Sequence, residues 1–171
     1  MTSRRQFLTL AAAGVALSGC TLFGGLYDII AISDRQAEDA INAIRARNGV
    51  GPVAHSRPLQ IVASQQARLM AEDDRLTHEV RAGLGLQGRI VRAGYQGISG
   101  ENISAGYASL AAVLDGWLAS PGHRRNLLDS RFTEFGIAAA RVAGGRQSRF
   151  GTYWALVLGT PAAQLSNAGL A

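Results

Sequence analysis

Lysine is absent from this chain, cysteine occurs once, and aromatic residues make up only 6% of it. Each shortage excludes something. With Cys20 alone, no disulfide can close within the chain, so packing must hold the fold together. All positive charge is arginine, seventeen residues against twelve acids, and those arginines are scattered rather than clustered. The preference for arginine reads as genome composition rather than function. No aromatic run interleaves with the arginines, so the pattern of a nucleic-acid surface is missing. Long hydrophobic runs are absent as well. The stretch from Phe7 to Gly19 falls short of the roughly 20 apolar residues that span a bilayer.

What that stretch does resemble is an export signal, with Arg4 and Arg5 ahead of an apolar core. Ser3-Arg4-Arg5-Gln6-Phe7-Leu8 resembles a twin-arginine signal, which serves proteins exported already folded. Leu17-Ser18-Gly19-Cys20 resembles a bacterial lipobox, whose cysteine receives lipid. The expected organisation is therefore an export signal over 1–19, a lipidated tether over 20–32, one domain over 33–160 and a tail over 161–171. Membrane attachment through acyl chains on Cys20 follows, since each buried CH₂ contributes about 0.8 kcal/mol. Thr21 stands where many inner-membrane lipoproteins carry aspartate, which favours the outer membrane of a two-membrane cell, in the periplasm or on the surface. Without Arg4 and Arg5, fifteen arginines face twelve acids, a formal net charge of +3. That balance suits weak attraction to anionic lipid or cell-wall polymer.

Within the domain the helical signals come first. Ser33 is a good N-cap, and Ala37, Ala40, Ile41 and Ile44 repeat at helical spacing up to the stop at Asn48-Gly49. Ser56 and Pro58 open a second helix with a stripe of Leu59, Val62, Ala63, Ala67 and Met70, running to about Asp74. A short helix is predicted over Leu86–Ala93, and Ser109 caps another carrying Val113, Leu114 and Trp117. Strands come late. Gly136–Val142 and Thr152–Leu158 form a hairpin pattern, and Ile98–Ser104 adds a third strand. The fold class is α+β, with helices packed on a small antiparallel sheet.

Three segments hold residues capable of chemistry. Ser120-Pro121-Gly122-His123 reads as a helix start, with Ser120 as cap, Pro121 at the first helical position and His123 in the first turn. The helix dipole there disfavours an imidazolium, and a neutral ring can accept a hydrogen bond or ligate a metal. A hydrogen bond to a buried backbone group is the simpler alternative. His78 follows a helix end, and Glu101 lies in the third strand. Two histidines and a glutamate match a known zinc ligand set, although spacings of 23 and 22 residues are no local metal signature. No G-x-S-x-G run supports a serine nucleophile. His55 reads as an exposed loop residue, Arg124 and Arg125 as a solvated face or as partners of the neighbouring loops, and Trp117, Tyr153 and Trp154 as core.

Seven short runs then occur in order: A-x-x-x-I-N-x-I-R from Ala37, M-A-E-D-D-R-L-T-H from Met70, and R-x-x-R-A-G-Y from Arg89, followed by G-E-N-I-S from Gly100, W-L-A-S-P-G-H-R-R-N-L-L from Trp117, F-T-E-F-G-I from Phe132 and Y-W-A-L-V-L-G from Tyr153. Together they resemble the CAP superfamily of cysteine-rich secretory, antigen 5 and pathogenesis-related 1 proteins, in its cysteine-poor bacterial branch. The resemblance implies an α-β-α sandwich with a cleft lined by two histidines and two acids. His78, Glu101 and His123 match three of those positions, and Ser120 stands at the fourth, where many members have glutamate. It also implies a monomeric binding module for a divalent cation, zinc foremost, held by His78 and His123 with Glu101 ligating or orienting. A lipid, sterol-like or cell-wall ligand would sit nearby. The alternatives are a metal-assisted envelope hydrolase with Glu101 as general base, and a purely structural His/Glu network.

Overall fold

The computed structural model describes residues 25–144 and 146–167. The expected export signal, Cys20 and residues 168–171 lie outside the described residues. In chain order the elements are β1 (Tyr27–Ile30), α1 (Asp34–Arg47), β2 (Ala54–His55), α2 (Arg57–Asp73), α3 (Leu86–Arg92) and β3 (Gly97–Ala105). Then come α4 (Leu110–Ala119), α5 (Pro121–Leu127), β4 (Glu134–Val142), β5 (Thr152–Pro161) and α6 (Ala162–Asn167).

The sheet runs β1-β4-β5-β3, antiparallel throughout, and β2 adds two residues parallel to β4. Strands β4 and β5 are apolar at nearly every position because both faces are covered. Tyr153, Ala155 and Val157 point to the layer of α2 and α3. Trp154, Leu156 and Leu158 point to the layer of α1, α4 and α5. The period of two along a strand thus divides one apolar run between two cores. The result is the α-β-α sandwich, with Trp117, Tyr153 and Trp154 buried as expected.

Helix α2 lies against β4 at a distance only glycine permits. A Cβ on Gly136 would stand 2.2 Å from the backbone nitrogen of Gln60. The Gln60 side chain then exchanges two hydrogen bonds with Ile137, donating to its carbonyl and accepting from its N–H, both at 2.9 Å. At its far end, α2 stops on Asp74, whose φ of 48° is left-handed. The Asp74 carboxylate accepts from Tyr153 Oη at 2.6 Å, from Arg149 N at 2.9 Å and from Ser148 Oγ. One residue therefore ends the helix and clips the β4–β5 loop to it. The Ser148, Tyr153 and Arg149 hydrogen bonds hold its carboxyl below the usual range.

Several expectations need amending. The segment expected as tether contributes β1, which pairs Tyr27–Ile30 with Ala139–Val142 and gives β4 a neighbour along its outer edge. His55 is a half-buried strand residue rather than an exposed loop residue. It stacks edge-on against Phe135, with rings 5.7 Å apart, and its Nε2 lies 3.6 Å from Asp34. Strand β5 runs on to Pro161, three residues past the expected end, because β3 and β4 supply partners for it there. The start of the tail forms α6. Ser120 begins α5 but makes no capping bond with its side chain; its carbonyl accepts from Arg124 N at 2.8 Å, and its N–H donates back to the Gly116 and Trp117 carbonyls at the end of α4.

Candidate functional site

The site forms over β3, the edge strand of the sheet. Consecutive strand residues face opposite layers, so Glu101 turns toward α3 while Asn102 turns toward α5. His78 arrives from the loop after α2, and His123 from the first turn of α5 on the other layer. Two layers of the sandwich therefore each send one histidine to the same edge.

Glu101 is the centre of the arrangement. Its side chain is 1% exposed, and it pairs with Arg89 of α3, whose side chain is wholly buried. One carboxylate oxygen accepts from Arg89 Nη2, and the other takes Nδ1 of His78 at 2.7 Å. A carboxylate held against a buried guanidinium accepts only, so His78 Nδ1 carries the proton. The Nε2 lone pair of His78 is then directed outward, on a ring that is 59% exposed. Arg89 also donates to the carbonyls of His78, at 3.1 Å, and of Leu84. It thereby holds the backbone of the loop whose side chain it helps orient. Both oxygens of Glu101 are thus engaged, and the free basic atom at this site belongs to His78.

His123 is fixed through its backbone. Asn102 Nδ2 donates to the His123 carbonyl at 2.9 Å, and Asn126 Nδ2 donates to Asn102 Oδ1 and to the Glu101 carbonyl at 3.0 and 3.1 Å. Burial, and after it the repulsion a second imidazolium would meet beside the His78 ring, lowers the pKa of His123 below the ordinary histidine value. The two imidazoles are close enough to feel one another, and His123 stays neutral near pH 7. Behind them Arg45, fully buried, donates to the carbonyls of Gly51, Leu127, Asp129 and Phe132 between 2.7 and 3.2 Å. It ties α1 to the turn that leads from α5 into β4.

As a donor set this is two imidazole nitrogens with a carboxylate behind one of them. Among the described residues no group of three or more His, Cys, Asp or Glu side chains is placed to hold a metal. The set therefore does not fit a catalytic zinc with three protein ligands. Two imidazoles alone could supply at most two ligands, and any remaining positions would fall to water or a ligand. Glu101 stands in the outer-shell role that fixes a histidine tautomer.

Comparison with known proteins places the fold. The family model for the cysteine-rich secretory protein family matches residues 38–158. The chain belongs to that family. An uncharacterised membrane protein of Bacillus subtilis is 32% identical over 111 residues, which is 64% of this chain and 32% of that protein. The chain thus spans about a third of that relative. Among solved structures, an extracellular SCP-domain protein of Bacillus anthracis superposes with a TM-score of 0.61 at 28% identity, over 72% of this chain and 39% of that one. An outer surface protein of Borrelia burgdorferi superposes with a TM-score of 0.65 at 18% identity, covering 78% of this chain and 98% of its own. At that identity the second likeness speaks to fold alone. This member of a family named for its cysteines carries only one, and its two cores take the place of cross-links.

The structure brings His78 and Glu101 into contact and His123 beside them, whereas Ser120 stays at the α4–α5 junction. Sequence reasoning missed the parts played by Arg89, Arg45, Asn102 and Asn126. A signal existed for the arginines. Arg89 shares a helical stripe with Leu86 and Ile90, and Arg45 extends the stripe of Ala37 and Ile41. A charge on the apolar stripe of a helix points to a buried partner.

Proposed function

We propose that this chain is an envelope-anchored binding module whose cleft takes a divalent cation, zinc first, between His78 and His123. The observation that carries this reading is the complete engagement of Glu101 by Arg89 and His78, which presents His78 Nε2 outward as a ligand. The lowered pKa of His123 supports it, because a ligating imidazole must be neutral. Bound there, the cation would supply a Lewis-acidic point for the oxygen of an envelope component, a lipid headgroup or cell-wall polymer. The names of two relatives, one extracellular and one a membrane protein, support a place in the cell envelope. The lipobox-like Leu17–Cys20 supports a lipid anchor there, in the outer membrane of a two-membrane cell.

Titration calorimetry with zinc tests the site on the purified chain. Binding is expected to weaken by an order of magnitude or more in both His78→Ala and His123→Ala. Unchanged affinity in the two variants would remove the metal from the reading. A second reading has its own observation: the wholly buried Arg89–Glu101 pair also suits a network that stiffens the loop after α2. In that case both histidine variants leave zinc affinity alone and lower the melting temperature only.

A further inference from the structure

A second feature lies away from the histidine cleft. A groove of about 780 Å³ runs from β1 and β2 across the outer face of α2 to the C-terminal end of α3. Its lining includes Ile29 and Ile61, both more than half exposed, together with Arg57, Arg68 and Arg92. Val91, exposed beside Arg92, adds to the apolar surface. Against the three arginines the lining sets one carboxylate, Asp34, while Arg68 shares Glu72 with Arg81. Exposed isoleucines beside Arg57 and Arg92, which have no carboxylate partner among the described residues, and Arg68, which shares its carboxylate, have the chemistry of a surface that rests at a lipid headgroup boundary.

The groove also lies where the anchor leads. Only five residues lie between Cys20 and Leu26, which immediately precedes β1, and the six Cα-to-Cα steps reach about 20 Å at most. A lipid on Cys20 therefore holds the β1 edge close to the bilayer. The histidine cleft stands over β3, at the opposite edge of the sheet and three strand spacings away, roughly 14 Å. We propose that the groove across α2 rests against an anionic bilayer, so that the cleft of His78 and His123 points into solution. This rests on the lipid-anchor reading of Cys20.

Thiol accessibility tests it on the full-length lipoprotein, because a lipidated Cys20 leaves the native chain without a free thiol. Single cysteines at Ile61→Cys, Val91→Cys and, near the cleft, Arg125→Cys are exposed to a membrane-impermeant maleimide. The protein is held in phosphatidylcholine vesicles with or without phosphatidylglycerol, or in detergent. Labelling at 61 and 91 is expected to slow at least about tenfold in the anionic vesicles, given the attraction of each arginine for such a surface. Position 125 should keep its detergent rate. Replacing Arg57, Arg68 and Arg92 together by Gln should restore labelling while the protein stays in the vesicles. Equal rates at 61 and 125 in anionic vesicles would overturn the proposal. Protection that persists in detergent would overturn it too, by assigning the groove another occupant. Maleimide reaction of Cys20 itself in the unsubstituted chain would refute the anchor and the docking together, and would be recognised as that separate failure.

Discussion

At the scale of single residues, the buried carboxylate is where most is at stake. Glu101 is tolerable inside the protein because Arg89 neutralises it and His78 takes its second oxygen. Removing one partner leaves the other buried and uncompensated, which costs about 3–5 kcal/mol. Glu101→Gln and Arg89→Met are each expected to lose stability on that scale in urea unfolding. The double variant should lose less than the sum, and additive losses would show that the pair is not coupled. His123 offers a different test. Its folded pKa lies below the unfolded value of about 6.5, so the unfolded chain takes up the proton first as pH falls. Stability contributed by the neutral ring is present above about pH 6.5 and is lost as pH drops toward the folded pKa. An NMR titration should give His123 a midpoint below that of a free histidine, and His123→Ala should flatten this part of the stability profile. A midpoint at or above the free value would contradict the burial argument.

At the scale of elements, the contact of α2 with β4 decides whether the sandwich closes. Gly136 admits the helix backbone, and Gln60 then bonds the strand on either side of Ile137. A methyl group at 136 meets helix backbone rather than a side chain that could swing aside. Gly136→Ala should therefore cost more than the typical 1–3 kcal/mol of an overpacked core. A chemical denaturation curve unchanged by that substitution would show that α2 can lift without loss. Asp74 governs the other end of the same helix. Its folded pKa is lowered, so its contribution is present above the unfolded value of about 3.9 and is lost as pH falls through the folded one. Asp74→Asn should reduce the acid sensitivity of the fold and loosen the β4–β5 loop, seen as faster amide exchange near Ser148 and Arg149.

At the scale of the whole molecule, the sheet separates two tasks. One edge, β1, continues toward the residue proposed to carry lipid, and the other, β3, carries the histidines. Cys20→Ser is expected to release protein into the soluble fraction or leave the precursor uncleaved. Membrane fractionation identical to the parent chain would discard the anchor. The same design accounts for the absence of disulfides. Two cores, one on each face of β4 and β5, bury Trp117, Trp154 and Tyr153 completely or nearly so, and their apolar area does what cross-links do in smaller secreted domains.

Much of this was legible in the residues themselves. Helical periodicity with Ser33 as a cap placed α1 at its observed bounds, and the late apolar runs marked β4 and β5. Seven short motifs in order pointed to the family before any contact was known, because those residues carry information independent of packing. Other features were not legible, and the reason is physical. Tyr27–Ile30 is too short to show a strand period and becomes a strand only because β4 has an edge to offer. His55 sits in what reads as a turn and is half-buried only because Phe135 lies beside it. The pairing of Arg89 with Glu101 links residues from different elements, and no spacing along the chain encodes it. Sequence alone determined which residues were available to the cleft, His78, His123 and Glu101, and that no disulfide closes within the chain. Tertiary structure decided that Glu101 faces inward to Arg89 and not outward to a ligand, since the pleat of β3 sends successive side chains to opposite layers and only the assembled sandwich says what each layer holds.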